Sequence, residues 1–112
     1  MEKPLVVALK YMKIFYAGRE IESLGAILDK DLVFEGPFYK FNSADEYLRS
    51  LQLDPPKNMK YEILHAFEKD SSVCLIYRFS KAEVSTYMAQ LFETNLGKIK
   101  RIILIFDSAA FS

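Results

Sequence analysis

Residues 84–107 constrain this chain most. They hold two long apolar runs, V-S-T-Y-M-A-Q-L-F-E and I-K-R-I-I-L-I-F-D, joined only by T-N-L-G-K. Asn95 and Gly97 in that link are residues that accept left-handed turn conformations at little cost. The pattern predicts a long β-hairpin. Such a hairpin is not stable alone, so the rest of the chain must extend its sheet and cover at least one face.

The segments before the hairpin supply both. Pro4 suits the first turn of a helix over residues 5–17, and Gly18 is a natural stop. Leu5, Leu9, Met12 and Phe15 or Tyr16 form its stripe, and its apolar residues wrap most of the circumference, so it should be mostly buried. A second helix is expected over about residues 20–28, with Ile21, Leu24, Ile27 and Leu28 on one face. Asp29, Lys30 and Asp31 read as a polar break. Residues 32–35 then form a short edge strand, ended by Gly36-Pro37. Phe38, Tyr39 and Phe41 make an aromatic loop. Ser43 and Glu46 form a capping box that opens a third helix, which runs to about Gln52 before Asp54-Pro55-Pro56. Residues 60–68 and 73–79 read as strands joined by a turn, and Lys81-Ala82-Glu83 leads into the hairpin. Helices segregated from strands make the fold class α+β, and 112 residues suit a single domain over 1–112.

Alternation along the strands sets Leu64, Ala66, Val73, Leu75, Tyr77, Phe79, Tyr87, Ala89, Leu91, Ile102, Leu104 and Phe106 on one face. The other carries Ile63, His65, Phe67, Cys74, Ile76, Arg78, Met88, Gln90, Phe92, Ile103 and Ile105. Both lists are largely apolar, and three short helices cannot cover two faces. A homodimer through the second face is the economical expectation. The first face, under the helices, encloses either a packed core or an aromatic pocket; periodicity does not separate these.

Composition excludes several classes. Fifteen basic and fifteen acidic residues give zero formal net charge, so no nucleic-acid partner is expected. Cys74 is the sole cysteine, which rules out an internal disulfide and a multi-cysteine metal site and suits a reducing cytoplasm. The apolar run at residues 5–9 falls far short of the roughly 20 residues of a membrane span, so neither a secretory leader nor a membrane partner is expected. His65, the only histidine, has no acidic or thiol partner nearby in sequence and falls on the proposed dimer face. No cofactor or metal is expected.

The order of elements resembles the nuclear transport factor-like superfamily, which includes ketosteroid isomerase-like and SnoaL-like polyketide cyclase families. The likeness is carried by Y-M-K-I-F-Y-A-G at 11–18, D-L-V-F-E-G-P at 31–37, S-A-D-E-Y at 43–47 and N-L-G-K-I at 95–99. It spans nearly the whole chain. The resemblance implies a cystatin-like cone, with three N-terminal helices packed on a strongly curved antiparallel sheet, frequent dimers and a conical cavity.

It also implies places for catalytic groups. Steroid isomerisation needs an aspartate base, plus a tyrosine and a protonated aspartic acid as oxyanion donors. Tyr11 matches the tyrosine. Gly36 stands at the base position and Ala89 at the second acid position, so steroid isomerase chemistry is not expected. Glu35 and Gln90 are each one residue away, but strand parity puts both outside the cavity. The first reading is therefore a small-molecule-binding protein with an apolar cavity lined by Tyr11, Phe15, Phe34, Phe38, Tyr47, Tyr77, Phe79, Tyr87 and Phe106, taking an apolar or aromatic ligand. The alternatives are an isomerase, lyase or cyclase with Glu35 or Asp107 as base and Tyr11 as hydrogen-bond donor, or a dimeric interaction module using the open sheet face. Cys74 reads as an inert mid-strand thiol.

Overall fold

The computed structural model describes residues 2–112. Helix α1 (Pro4–Ala17) begins on Pro4 and ends at Gly18, whose φ of 72° is left-handed. A Cβ at Gly18 would run into the Pro56 carbonyl oxygen, so both conformation and space demand glycine here. Gly18→Ala should therefore lower stability by roughly 2 kcal/mol or more, read from the urea midpoint at unchanged m-value. The buried residues of α1 are Val7, Ala8, Tyr11 and Met12, with Leu5, Phe15 and Tyr16 of the expected stripe packed beside them; Leu9 is exposed with Val6, so the helix is buried on one side and not around most of its circumference.

The helix expected over residues 20–28 is a short 3-10 segment, Ile21–Ala26. Gly25 lies within it, and the apolar Leu28 is taken by the sheet instead. Strand β1 (Leu28–Glu35) contains the supposed polar break. Asp29 accepts a hydrogen bond from the Asp31 amide, and pairing shifts register between Leu28 and Val33. The polar triplet is an irregularity inside a strand, not a boundary before one. A two-residue strand β2 (Lys40–Phe41) pairs with β1 across the aromatic loop. Helix α2 (Ala44–Leu53) carries the capping box as expected: the Glu46 amide donates to Ser43 Oγ, and Glu46 accepts from the Asn42 amide.

Four strands complete the sheet: β3 (Met59–Lys69), β4 (Ser72–Lys81), β5 (Val84–Asn95) and β6 (Lys98–Phe106). The order is β2-β1-β6-β5-β4-β3, antiparallel except where β1 lies parallel to β6. The extra residues Leu64 in β3 and Lys100 in β6 bend and twist the sheet around α1 and α2. A last 3-10 segment, Ser108–Phe111, follows β6.

The faces differ from expectation in two strands. Lys81 pairs with Val84 across a two-residue turn, which sets Tyr77 opposite Met88 and Leu75 opposite Gln90. Met88, Gln90, Phe92 and Thr94 are therefore the buried row of β5, while Tyr87, Ala89 and Leu91 turn outward. In β3 the shift between Ile63 and His65 brings Tyr61 and Ile63 to the inner face and leaves Leu64 exposed. The inner rows of β4 and β6 run as predicted. The core lies between this inner face and α1, α2 and the first 3-10 segment, with Phe92, Ile102, Leu75 and Met12 fully buried at its centre.

Candidate functional site

The core does not close completely. Toward the Pro55-Pro56 and β1–β2 end, the sheet and the two helices diverge around a cavity of about 290 Å³. Its deep wall comes from Tyr11 and Phe15 of α1, Tyr47 of α2, Phe34 of β1, Tyr77 of β4 and Gln90 of β5. Met59, Phe79, Met88, Leu104 and Phe106 continue the wall toward solvent, and Phe38, Tyr39 and Phe111 stand at the mouth. Phe34 stacks on Tyr47 at 5.0 Å, and Phe92 meets Tyr11 edge-on at 5.2 Å. These contacts hold the deep aromatics in fixed orientations.

Of the nine aromatic residues predicted to line a pocket, eight do so: Tyr11, Phe15, Phe34, Phe38, Tyr47, Tyr77, Phe79 and Phe106. Tyr87 does not. It stands on the outer face, 59% exposed, with its hydroxyl accepting from Arg78 at 2.8 Å and the Arg78 guanidinium over its ring. The shared cause is the β5 parity, which also carries Ala89 out and Gln90 in. Sequence reasoning missed Gln90, Tyr16 and Phe111. The signal that finds Gln90 is the two-residue turn at Ala82-Glu83, which fixes register without reference to hydrophobicity.

Gln90 is the polar centre of the deep wall, 3% exposed. Tyr77 donates its hydroxyl proton to Gln90 Oε1 at 2.7 Å, and Tyr16 donates to the Tyr77 oxygen at 3.2 Å. The Tyr11 and Tyr47 hydroxyls bond each other. Four phenols and one amide thus meet in a wall that is otherwise apolar. Burial pushes the Tyr11, Tyr47 and Tyr77 hydroxyls well above the ordinary tyrosine value, and for Tyr11 the facing Tyr47 adds to it. Burial likewise raises Tyr16 to about 12, against a smaller opposing effect of Tyr77. These groups are neutral donors near pH 7 and cannot serve as bases there.

A pH prediction follows. A phenol whose proton is held more tightly in the folded state stabilises the fold fully below the unfolded value near 10. That stability is lost as pH rises from about 10 through the folded values, about 12 for Tyr16 and higher for the others. Phenolate absorbance from these four tyrosines should appear only together with alkaline loss of the fold, followed in parallel by ultraviolet absorbance and circular dichroism. Their ionisation near pH 10 in a folded protein would contradict the arrangement.

The carboxylates named as candidate bases lie elsewhere. Glu35 points to the outer face, 3.1 Å from Arg101, because Phe34 takes the inward place in β1. Asp107 caps the last 3-10 segment, accepting from the Ala109 amide at 3.0 Å. Asp54 is the carboxylate among the lining residues, exposed at the rim. His65 stacks on Phe67 on the outer side. Burial raises the Cys74 thiol, away from the reactive thiolate. Among the described residues no three His, Cys, Asp or Glu side chains gather as metal ligands, and no helix is long and apolar enough to cross a membrane.

No protein-family model and no curated protein matches the sequence. Solved structures do. An NTF2-like protein of unknown function from Cytophaga hutchinsonii superposes with a TM-score of 0.84 at 18% identity, over 99% of this chain and 96% of that one. A ketosteroid isomerase candidate from Kribbella flavida gives 0.79 at 19% identity, over 91% and 76%. A SnoaL-like polyketide cyclase candidate from Jannaschia sp. CCS1 gives 0.80 at 10% identity, over 96% and 88%. Identities this low speak to architecture alone, and the agreement covers at least 91% of this chain in each case. The chain has the fold of the nuclear transport factor 2-like superfamily.

Proposed function

We propose that this protein binds an apolar, mostly aromatic small molecule that presents a hydrogen-bond acceptor, such as a ketone oxygen, to the tyrosine–glutamine wall. The observation that carries this is a count of protons. Tyr16 spends its proton on Tyr77, and Tyr77 spends its own on Gln90. Tyr11 and Tyr47 share one hydrogen bond, so one of their two protons has no acceptor among the described residues. The Gln90 amide stands beside the Tyr11 hydroxyl and lines the same cavity. The wall therefore offers a hydroxyl proton to a bound acceptor. An acceptor on the ligand satisfies it, while the aromatic walls take the ligand body. Structural neighbours described as acting on a ketosteroid and a polyketide are in keeping with such a ligand.

Binding is favoured over an isomerase, lyase or cyclase because neither Glu35 nor Asp107 faces the cavity and the lining carboxylate, Asp54, is exposed at the rim, away from the buried Tyr11. The test is calorimetry with prodan, a fluorescent naphthyl ketone, and an alkylnaphthalene of the same outline. Prodan should bind about tenfold more tightly. Equal affinity would remove the role of the polar wall, and no binding by either would sink the reading.

The outer face supports a second element, a homodimer. Phe67, Tyr87 and Ile105 are exposed there, beside half-buried Ile76, Leu91 and Ile103. This apolar surface suits a second copy related by twofold symmetry. Sedimentation should show a dimer that Ile105→Lys converts to a monomer; a monomeric wild-type chain would refute it. A reducing cytoplasm suits the unpaired thiol of Cys74.

A further inference from the structure

We infer that Phe38 and Phe111 form a two-leaf gate across the cavity mouth, with Asp107 holding one leaf in place. The inference rests on ligand entry into the cavity described above. The leaves come from segments far apart in sequence. Phe38 lies in the loop between β1 and β2, folded on itself by the Gly36 amide donating to the Tyr39 carbonyl at 2.9 Å. Phe111 ends the 3-10 segment after β6, folded on itself by the Ala110 amide donating to the Asp107 carbonyl at 3.1 Å and by the Asp107 side-chain cap.

The two rings meet edge to face at 6.1 Å, and both lean on Phe106, at 5.4 Å and 5.1 Å. Phe111 also reaches Phe79 at 5.7 Å, so its ring lies over the cavity from the β4 side. Among the described residues no hydrogen bond joins one leaf to the other. They part by losing ring contacts only, while each keeps its own backbone bonds. Phe38 is 53% exposed and Phe111 36%, in contrast to the buried aromatics beneath them. Such rings are placed to slow passage in both directions without setting the affinity of the deep wall.

Asp107 is then a positioning residue. Its carboxylate accepts from the Ala109 amide, and neither residue lines the cavity; it sets the direction in which the 3-10 segment leaves β6, and so where Phe111 falls. Asp107→Asn keeps an acceptor oxygen for the Ala109 amide, whereas Asp107→Ala removes it.

Stopped-flow fluorescence with prodan and the full chain reads the gate. Phe111→Ala and Phe38→Ala should each raise the association and dissociation rates together, by about fivefold or more, with the ratio shifting by less than about twofold. Asp107→Ala should follow Phe111→Ala, and Asp107→Asn should stay near wild type. Faster dissociation at an unchanged association rate would make Phe111 an ordinary wall residue and overturn the gate. A second measurement needs no ligand. In a background with the exposed Tyr39 and Tyr87 replaced by phenylalanine, acrylamide quenching of the remaining tyrosine emission should rise severalfold with Phe111→Ala. Unchanged quenching also overturns the gate. If wild type takes up no prodan, the binding proposal fails, and the quenching measurement alone decides the gate.

Discussion

Phe92→Ala should lower the melting temperature by roughly 12–25 °C. Phe92 is fully buried and packs edge-on against Tyr11. Truncating such a ring costs about 3–5 kcal/mol, from lost transfer energy and the void left behind. In a domain of about 100 residues each kcal/mol moves the midpoint by roughly 4–5 °C. The same change at Tyr87, five residues earlier on the same strand but facing outward, should stay within about 1 kcal/mol in a dilute sample. The pair of variants therefore measures the register of β5 directly. A large loss at Tyr87 and a small one at Phe92 would mean that the strand is inverted. Phe92→Leu, which keeps most of the volume, should recover most of the stability.

Gln90→Leu should act on both binding and stability. It removes the acceptor for Tyr77 and the amide that stands beside the Tyr11 hydroxyl in the cavity wall. Leaving the Tyr77 hydroxyl buried without its partner costs about 1–3 kcal/mol of stability. On binding, prodan should lose roughly tenfold or more in affinity, while the alkylnaphthalene stays within about threefold. The difference between the two ligands, measured by calorimetry on the same preparation, separates a lost hydrogen bond from a disturbed cavity. If both ligands weaken together, the wall is structural and the ligand does not read it. Tyr77→Phe should cost a similar amount of stability, since it leaves both the Tyr16 hydroxyl and Gln90 Oε1 without their partners.

How much of this was legible in the residues depends on what fixes each feature. Pro4, Gly18 and the Ser43–Glu46 box fix helix ends through local backbone chemistry, and they hold in the structure. The rows Val73-Leu75-Tyr77-Phe79 and Ile102-Leu104-Phe106 run as alternation predicts. Strand β5 is apolar on both faces, so alternation is silent there, and a lone glutamine looks like the outward residue. In the fold that glutamine is the inward one, because the cavity wall needs a partner for Tyr77 and the Ala82-Glu83 turn sets the pairing. The leucine at position 28 looked helical because Ile21, Leu24 and Ile27 share its spacing; pairing with Ile99 of β6 overrides that local preference. Phe111 carried no signal, since a lone aromatic past the last strand has no period to belong to.

The parallel pairing of β1 with β6 has a consequence for the order of assembly. Strands β3 to β6 are joined by two-residue turns, so each pairs with a neighbour as soon as that neighbour exists. Strand β1 is made early yet cannot enter the sheet until β6, some 70 residues later by the register Leu28 to Ile99, is in place. Closing so long a loop is slow relative to zipping a hairpin. Amides of β4 and β5 should gain protection before those of β1 in pulse-labelled hydrogen exchange; simultaneous protection would count against this order. On a ribosome the early segment, with its apolar helix, waits through the synthesis of most of the chain. Aggregation of this protein is then a hazard of the nascent chain, set by topology rather than by the exposed surface of the finished fold.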